Sequence, residues 1–372
     1  MTLWDFLKDR MLKNNTQTVK EDNVSISFEE LVIYAEIMAK KMKGEKSCAI
    51  CCTSELSTAM ALLGCFAAGV TAIPMSISYG DKHCKNILHH ISPTTFITDS
   101  AGTLEIYQIE DSVYKNPRIR PALIMCNQDS DGSIKGAMIS DLNIITNLSD
   151  MENLFDIDES DSILITRPLY HSSVLTIEFL FSLIKGARIV FESNKKPSFL
   201  FGKLISEEIT TIGVTPTMFS VLLDSYSHYD DLKLKHIIFG DEYIGEETAK
   251  KFRETFNNAN IYNVYGKPET SFCISVLPPE YFDKYHDCVG APLESISIKI
   301  LNDKEKSVLD GEYGTLWVRG DSIMRGYYND KEKTQTILKN GWFCTGDIAM
   351  VTSEGWLKIK GRKGESFERI QL

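Results

Sequence analysis

The chain has few of the features that mark unusual protein classes. Only 11 of its 372 residues are proline, no stretch is rich in proline or serine, and no segment repeats at a fixed period. These absences exclude collagen-like, solenoid and low-complexity architectures. Hydrophobic residues at 43% and charged residues at 24% are typical of a globular protein. At this length we expect one large multilayer domain or two closely packed subdomains.

An excess of basic residues is also missing. The formal net charge is -11, and the lysines and arginines are scattered along the chain. No basic stripe is therefore available for a phosphate backbone, and no nucleic-acid partner is expected. Residues 1–8 include an acidic side chain and lack a continuous apolar run, so no secretory signal is predicted. The nine cysteines follow no regular spacing, which favours free thiols and predicts a cytoplasmic protein.

One uncharged stretch is long enough to be considered as a membrane helix. Residues 56–80 contain no charged side chain and are rich in alanine, leucine and glycine. Gly69 and Pro74 interrupt this stretch, which favours a helix over residues 56–68 and a short buried strand over residues 70–73. No membrane partner is predicted.

Helical patterns alternate with short runs of β-branched residues over the first two thirds of the chain. Helices separate the predicted strands, which include residues 48–51, 70–73, 95–98, 162–165, 187–191 and 236–239. This alternation predicts an α/β fold with parallel sheets and helices on both faces. Later strands are punctuated by glycine, which predicts a smaller β-rich subdomain. The expected division is residues 1–275 for the paired α/β subdomains, 276–360 for the β-rich subdomain and 361–372 for a hinge.

Polar turns that follow predicted strands are the candidate sites, because parallel sheets bind ligands at the carboxyl ends of their strands. Five such turns occur, at residues 127–136, 168–171, 239–242, 263–270 and 342–347, and Gly361-Arg362 follows them. Taken alone, Asp347 is a turn or cap residue and Tyr265 is a core aromatic. The occurrence of all these turns together, in this order, favours a nucleotide-binding site.

In this order and spacing the turns resemble the core motifs of the acyl-adenylate-forming superfamily. Its members include acyl-CoA synthetases, luciferases and the adenylation domains of nonribosomal peptide synthetases. The resemblance covers nearly the whole chain and implies the large N-terminal domain of such an enzyme. It further implies conversion of a carboxylic acid to acyl-AMP with ATP and magnesium. The acyl group would then pass to the thiol of coenzyme A or of an acyl or peptidyl carrier protein.

The resemblance also implies roles for individual residues. Tyr265 would stack on adenine, Asp347 would accept hydrogen bonds from both ribose hydroxyls, and Arg362 would also reach the ribose. Glu269 would hold magnesium beside the α-phosphate. The implied catalytic residues are Glu269, His171 and Lys135. The implied nucleotide-binding residues are Gly240, Asp241, Glu242, Asn263, Tyr265, Gly266, Asp347 and Arg362.

The expected substrate is an acyl or aryl acid rather than a free α-amino acid. Domains that activate amino acids carry an aspartate that pairs with the substrate ammonium, whereas this chain has Tyr170-His171. A neutral histidine would leave a desolvated ammonium unpaired, which is a large penalty. The residues expected to line the substrate pocket are His171, Ser172, Leu175, Gly240, Tyr265 and Gly266.

The first turn departs from the family's phosphate loop. Lys135 matches the lysine of that loop. Ile134, however, occupies the position of a proline, Asp131 that of a threonine and Asp129 that of a glycine. A carboxylate about 4 Å from a phosphate charge costs roughly 1 to 4 kcal/mol. Three explanations remain open. The loop swings away, extra magnesium bridges the new acids, or the protein is a non-catalytic module that docks a carrier protein or a synthetase partner.

The small C-terminal lid domain of the family is expected to be absent. The sequence ends ten residues after Arg362, and Gly364 stands where the family has its hinge aspartate. The chain is then either an excised N-terminal piece or a natural short form that uses the lid of a partner. We favour the excised piece.

Overall fold

The computed structural model describes residues 1–128, 132–224 and 232–363, which are organised around three sheets. Three residues singled out in the sequence, Asp129, Asp131 and Gly364, lie outside this part of the chain. No helix within it combines the length and the apolar character that crossing a membrane requires.

The largest sheet is parallel through its centre. Its strands, in spatial order, are β15 (Ala291–Pro292), β14 (Phe272–Leu277), β13 (Asn260–Lys267), β12 (His236–Phe239), β11 (Thr211–Val214), β9 (Ser162–Ile165), β10 (Arg188–Phe191), β1 (Thr18–Glu21) and β2 (Val24–Ser27). The strands from β13 to β1 in this order are parallel neighbours, and the remaining edge pairs are antiparallel. The central strands β9, β11 and β12 are wholly buried, as expected for parallel strands covered on both faces.

The second sheet repeats this plan with six strands. In spatial order these are β6 (Thr103–Gln108), β5 (Thr95–Ser100), β3 (Ser47–Ile50), β4 (Thr71–Pro74), β7 (Leu123–Gln128) and β8 (Ile134–Ile139). The four inner strands are parallel, and β6 and β8 close the edges as antiparallel partners.

The third sheet is antiparallel and lies near the end of the described chain. It contains β16 (Ser297–Leu301), β17 (Gly314–Arg319), β18 (Leu338–Lys339), β19 (Trp342–Val351) and β20 (Leu357–Arg362). Together, the two mainly parallel sheets flanked by helices and this smaller antiparallel sheet confirm the predicted fold class. The domain boundary after residue 275 stays a prediction, since β15 of the largest sheet lies beyond it.

Helices connect the strands and cover the sheets. They are α1 (Leu3–Lys13), α2 (Phe28–Lys41), α3 (Glu55–Ala68), α4 (Asp81–Ile91), α5 (Asp141–Met151), α6 (Phe181–Lys185), α7 (Pro197–Ser206), α8 (Pro216–Asp224), α9 (Glu246–Thr255), α10 (Phe282–Tyr285) and α11 (Lys331–Ile337). A buried π-helical stretch, Val174–Leu180, leads into α6. Gly69 ends α3 with a φ of 67°, a left-handed conformation that suits glycine, and β4 follows directly. The uncharged stretch of residues 56–80 is therefore a helix and a strand, as predicted.

The polar loop predicted over residues 127–136 is shorter in the structure. β7 continues to Gln128 and β8 begins at Ile134, so that Asn127 pairs with Lys135 in an antiparallel ladder. Gly136 allows the close approach, because a Cβ there would lie 2.7 Å from Ile124 Cγ2. The ladder satisfies the backbone groups that a free loop would leave to water. Lys135 is consequently held on a strand rather than on a loop.

Candidate functional site

The carboxyl ends of four neighbouring parallel strands meet at one edge of the largest sheet. β9, β11, β12 and β13 are adjacent there, and Arg167, Thr215, Gly240 and Lys267 lie at or just beyond their ends. Open α/β sheets bind ligands at this edge. The turns singled out in the sequence at residues 168–171, 239–242 and 263–270 all belong to it.

Asp347 lies at the centre of a buried polar cluster. Tyr265 donates its hydroxyl hydrogen to Asp347 Oδ2 at 2.5 Å, and Lys267 Nζ donates to the same oxygen at 3.0 Å. Arg362 Nε lies 3.6 Å from Asp347 Oδ1 and approaches from β20, which pairs with β19 at this point. The cluster therefore joins the largest sheet to the antiparallel sheet and brings together three residues predicted to hold the nucleoside.

Tyr265 stays protonated in this cluster. Burial and the charge of Asp347 raise the pKa of the Tyr265 hydroxyl well above its usual value. The turn that begins at Gly240 lies beside the strand of Tyr265, since a Cβ at Gly240 would lie 3.0 Å from Val264 Cγ2. Whether adenine fits between this turn and the Tyr265 ring stays a prediction.

A second polar cluster surrounds Glu269. Tyr327 donates its hydroxyl hydrogen to Glu269 Oε1 at 2.7 Å, and Lys135 Nζ lies 3.8 Å from the same oxygen. The Lys135 ammonium also lies 5.8 Å from the centre of the Tyr327 ring. Lys135 comes from β8 of the six-stranded sheet, so this cluster joins the two mainly parallel sheets.

The backbone between the two clusters is tightly constrained. A bulge interrupts the pairing of β13 with β14 between Tyr265 and Gly266. A Cβ on Gly266 would lie 1.7 Å from the carbonyl oxygen of Phe272, so only glycine fits. This geometry holds Tyr265 and Glu269 at the two ends of one short segment.

A cavity of about 390 Å³ opens beside that segment. Its lining residues are Met125, Asn127, Arg167, Tyr170, His171, Ser172, Ser173, Thr215, Asp241, Gly266, Pro268 and Phe272. Three of the residues predicted for the substrate pocket, His171, Ser172 and Gly266, are among them. Leu175, Gly240 and Tyr265 are not, and Leu175 lies fully buried in the π-helical stretch.

His171 lines this cavity and is exposed, with its ring centre 4.3 Å from that of Tyr170. Burial of the imidazole and the nearby charge of Arg167 lower the pKa of His171 to about 4. The ring is therefore neutral at pH 7 and can donate one hydrogen bond and accept another.

Three other predicted nucleotide residues have structural partners. Asp241 Oδ2 accepts hydrogen bonds from Arg167 at 2.7 Å and from Ser173 at 3.0 Å. Glu242 accepts from the backbone N–H of Thr217 and caps α8. Asn263 donates from its amide to the carbonyl oxygens of residues 286 and 288. Their predicted contacts with adenine stay predictions.

Sequence reasoning missed three charged or polar residues of this region: Arg167, Lys267 and Tyr327. Lys267 carried a usable signal, because it lies inside the turn of residues 263–270, two positions before Glu269. Arg167 also directly precedes a turn that had been singled out. Tyr327 carried no such signal, since its contact with Glu269 spans 58 positions of the sequence.

Comparison with known proteins identifies relatives of this chain. Residues 130–328 match the model of a family described as AMP-binding enzyme. A long-chain-fatty-acid–CoA ligase of Haemophilus influenzae is 32% identical over 253 residues, which are 65% of this chain and 44% of that protein. An indoleacetate–CoA ligase of Aromatoleum aromaticum is 26% identical over 260 residues, 68% of this chain and 51% of that protein. The chain spans about half the length of the curated relatives it matches.

Solved structures share the fold. O-succinylbenzoate coenzyme A synthetase from Bacillus subtilis, in complex with AMP, is similar with a TM-score of 0.83 at 23% identity, covering 97% of this chain and 99% of that one. Another structure of that synthetase, in complex with ATP and a magnesium ion, has a TM-score of 0.82 at 24% identity. It covers 97% of this chain and 80% of that one. Because the family model matches more than half of its length, the chain belongs to the AMP-binding enzyme family.

Proposed function

We propose that this protein activates a carboxylic acid with ATP. A carboxylate oxygen of the substrate forms a bond to the α-phosphorus while the bond from that phosphorus to pyrophosphate breaks, which yields acyl-AMP. The thiol of coenzyme A then attacks the acyl carbon, and AMP leaves. Relatives named as CoA ligases support coenzyme A as the acceptor, and a carrier protein is a further candidate acceptor.

One observation carries this proposal. The segment from Tyr265 to Glu269 has the Asp347 cluster at one end and the Glu269 cluster at the other, and Gly266 and Pro268 between them line the cavity. A nucleoside at Asp347, a phosphate near Glu269 and an acid in the cavity would thus be neighbours. Bringing the reactants together in this way accounts for a large part of the rate of a bimolecular reaction.

The residues around Glu269 fit a magnesium ion shared with phosphate. Among the described residues, no group of three His, Cys, Asp or Glu side chains could form an all-protein metal site. Magnesium commonly uses one or two carboxylates and completes its shell with phosphate oxygens and water. Glu269 supplies such a carboxylate, and the bound ion would withdraw charge from the phosphates. Lys135, beside Glu269, would add a positive charge for the same phosphates.

His171 bears on the class of substrate, and the free cysteines bear on the location of the protein. The neutral His171 would contact the acid in the cavity without pairing with an ammonium, which agrees with an acyl or aryl substrate. All nine cysteines are free thiols, which supports a cytoplasmic location. The lid domain implied by the family resemblance would supply a further cation for the transferred phosphoryl group.

The test combines binding with product detection. Calorimetry with AMP should show binding, and incubation with ATP, magnesium and a panel of carboxylic acids should give acyl-AMP by mass spectrometry. Glu269→Gln should abolish the acyl-AMP, because it removes the carboxylate for magnesium. Glu280→Gln, at an exposed glutamate, is the matched control and should behave as wild type. Absence of AMP binding in the wild type would overturn the proposal.

A non-catalytic docking module is the second candidate. It rests on the altered phosphate loop, where Asp129, Asp131 and Ile134 replace the residues of the family pattern. This candidate predicts AMP binding without any acyl-AMP, even when a lid domain is supplied. Changing Asp129 to glycine and Asp131 to threonine would then restore acyl-AMP formation if the loop alone were limiting.

A further inference from the structure

A charged network forms one wall of the cavity. Arg167 donates from Nη1 to Asp241 Oδ2 and from Nη2 to Glu178 Oε1, both at 2.7 Å. Ser173 donates its hydroxyl hydrogen to Asp241 Oδ2 at 3.0 Å. Arg167, Ser173 and Asp241 all line the cavity, with Glu178 behind them. A substrate in the cavity therefore meets an ion pair rather than an apolar wall.

This network is built into the fold. Glu178 lies on the π-helical stretch Val174–Leu180, and its side chain is 2% exposed. Gly213 on β11 leaves room for the carboxyl group, because a Cβ there would lie 2.4 Å from Glu178 Cδ. A carboxylate at this depth is tolerated only when a partner offsets the loss of hydration, and Arg167 is that partner.

The network has unused hydrogen-bonding capacity. Arg167 Nε and Glu178 Oε2 are both buried, and neither has a hydrogen-bond partner within the described residues. Leaving such groups unpaired costs about 1 to 3 kcal/mol each. Both atoms are closed off from the cavity, but each terminal nitrogen of Arg167 gives only one of its two hydrogens to a carboxylate. A polar group on a bound ligand could accept a remaining hydrogen, whereas an alkyl chain could not.

The rest of the lining combines polar and apolar side chains. Asn127, Tyr170, Ser172 and Thr215 contribute polar side chains, while the apolar share comes mainly from Met125 and Phe272. The volume of about 390 Å³ is near the lower end of the roughly 300 to 1,000 Å³ usual for ligand pockets. Burying a long alkyl chain here would remove water from these groups without replacing its hydrogen bonds.

We propose that Arg167, held by Glu178 and Asp241, determines substrate specificity by selecting a short or aryl acid that carries a neutral polar group. A hydroxyl at the end remote from the reacting carboxylate would accept from Arg167 and donate to Asp241. A second carboxylate is disfavoured, because the guanidinium is already matched by two acids. This inference rests on the proposed function, since it assumes that the cavity receives the acyl group of acyl-AMP.

The test uses hydrolysis-resistant mimics of acyl-AMP, in which a sulfamate replaces the phosphate. The 3- and 4-hydroxybenzoyl compounds are compared with the 3- and 4-methylbenzoyl compounds of the same shape, and with a decanoyl compound, by titration calorimetry. We expect the hydroxyl member of at least one pair to bind about tenfold tighter than its methyl partner, and the decanoyl compound to bind weakest. Equal or tighter binding of the methyl member in both pairs, or of the decanoyl compound, would overturn the inference.

A double variant tests whether Arg167 causes the preference for a hydroxyl over a methyl group. Changing Arg167 and Glu178 together to methionine removes the pair without leaving a buried charge alone, and should reverse the preference toward the methyl and decanoyl compounds. Arg188 on β10 and Glu207 at the end of α7 pair at 3.0 Å and do not line the cavity. They supply the matched double variant, which should keep the wild-type preference. Retention of the hydroxyl preference in the Arg167/Glu178 variant would contradict the assignment.

The outcomes separate the two proposals. AMP carries no acyl group, so its binding tests the nucleotide site without the proposed contact to Arg167. Failure of both AMP and every acyl mimic to bind would overturn the proposed function and this inference with it. Binding of AMP with the methyl or decanoyl compounds preferred would overturn only the inference. If the double variant does not fold, the series of ligands on the wild type still decides.

Discussion

Asp347 has more than one partner within the protein. Its Oδ2 accepts from Tyr265 and Lys267, while Arg362 remains 3.6 Å from Oδ1. The carboxylate is 7% exposed, so these partners offset its loss of hydration. Ribose hydroxyls would find an acceptor already held in position by these partners, which lowers the cost of ordering it on binding.

We predict that Asp347→Asn weakens AMP binding by about 1.5 to 3 kcal/mol, the usual value of hydrogen bonds to a charged group. The variant should also unfold more easily, because Lys267 loses its counter-charge in a buried position. Titration calorimetry with AMP, after thermal unfolding has established that the protein is folded, measures the effect.

Two further variants serve as controls for Asp347. Tyr265→Phe keeps the ring face that would stack on adenine, so AMP binding should change by only a few fold. Asp303→Asn alters an exposed carboxylate that pairs with Lys363, and it should change nothing. Wild-type AMP affinity in folded Asp347→Asn would contradict the assigned role of this carboxylate.

The sequence was informative about site residues that lie in ordered motifs and uninformative about contacts between distant positions. Asp347 and Tyr265 were both anticipated, and the structure brings them into direct contact. Glu242 caps α8 and does not line the cavity. Its residue type alone could not predict this position. Asp241 was anticipated, but its network with Arg167 and Glu178 was missed because each of these two charges, taken singly, resembles a solvated surface residue.

At the scale of elements, the start of α3 is tied to the loop that carries His171. Glu55, in the first turn of α3, accepts a hydrogen bond from the backbone N–H of Leu169 at 2.9 Å. Glu21 on β1 accepts from the N–H groups of Glu55 and Leu56 and so caps the same helix. Burial, reinforced by the nearby charge of Glu21, raises the pKa of Glu55 to about 7.

This raised pKa makes stability depend on pH in a defined direction. A carboxyl group with a higher pKa in the folded protein stabilises the fold fully at pH values below its unfolded pKa, near 4.5, and this contribution is lost as the pH rises through about 7. Glu55→Gln cannot ionise, so it should gain stability relative to wild type as the pH rises. We predict that this gain is about 2 kcal/mol larger at pH 8.5 than at pH 5.5.

Urea unfolding followed by tryptophan fluorescence at the two pH values measures this difference. Glu29→Gln, in the exposed first turn of α2, is the matched control and should show no comparable change between them. A gain for Glu55→Gln that is the same at both pH values would mean that Glu55 titrates as an ordinary carboxyl group.

Elements were predictable where burial is complete on both faces. β9 and β12 have the bounds that the sequence predicts. Both are central parallel strands that are buried on both faces, so each appears in the sequence as a continuous apolar run. The hairpin of β7 and β8 was interpreted as a loop, since its turn residues are polar and glycine-containing. The β1–β2 hairpin was missed because its strands have four residues each and no wholly buried face.

At the scale of the whole molecule, the candidate site lies where the three sheets meet. Glu269 and Tyr265 belong to the chain segment of the largest sheet, Lys135 to the six-stranded sheet and Asp347 to the antiparallel sheet. A ligand that contacts all of them would couple elements that are far apart in sequence. Its binding energy would then oppose local opening of each element.

We predict that AMP slows amide hydrogen exchange in two separate segments at once, residues 260–267 of β13 and residues 342–351 of β19. At a ligand concentration of about 100 Kd, linkage stabilises the bound state by about 2.7 kcal/mol, so amides that exchange only when the site opens should slow by about a hundredfold. Adenine alone, which lacks the ribose that Asp347 would hold, should protect the first segment and leave the second unchanged. Protection by AMP confined to one segment would show that the nucleotide does not bridge the sheets.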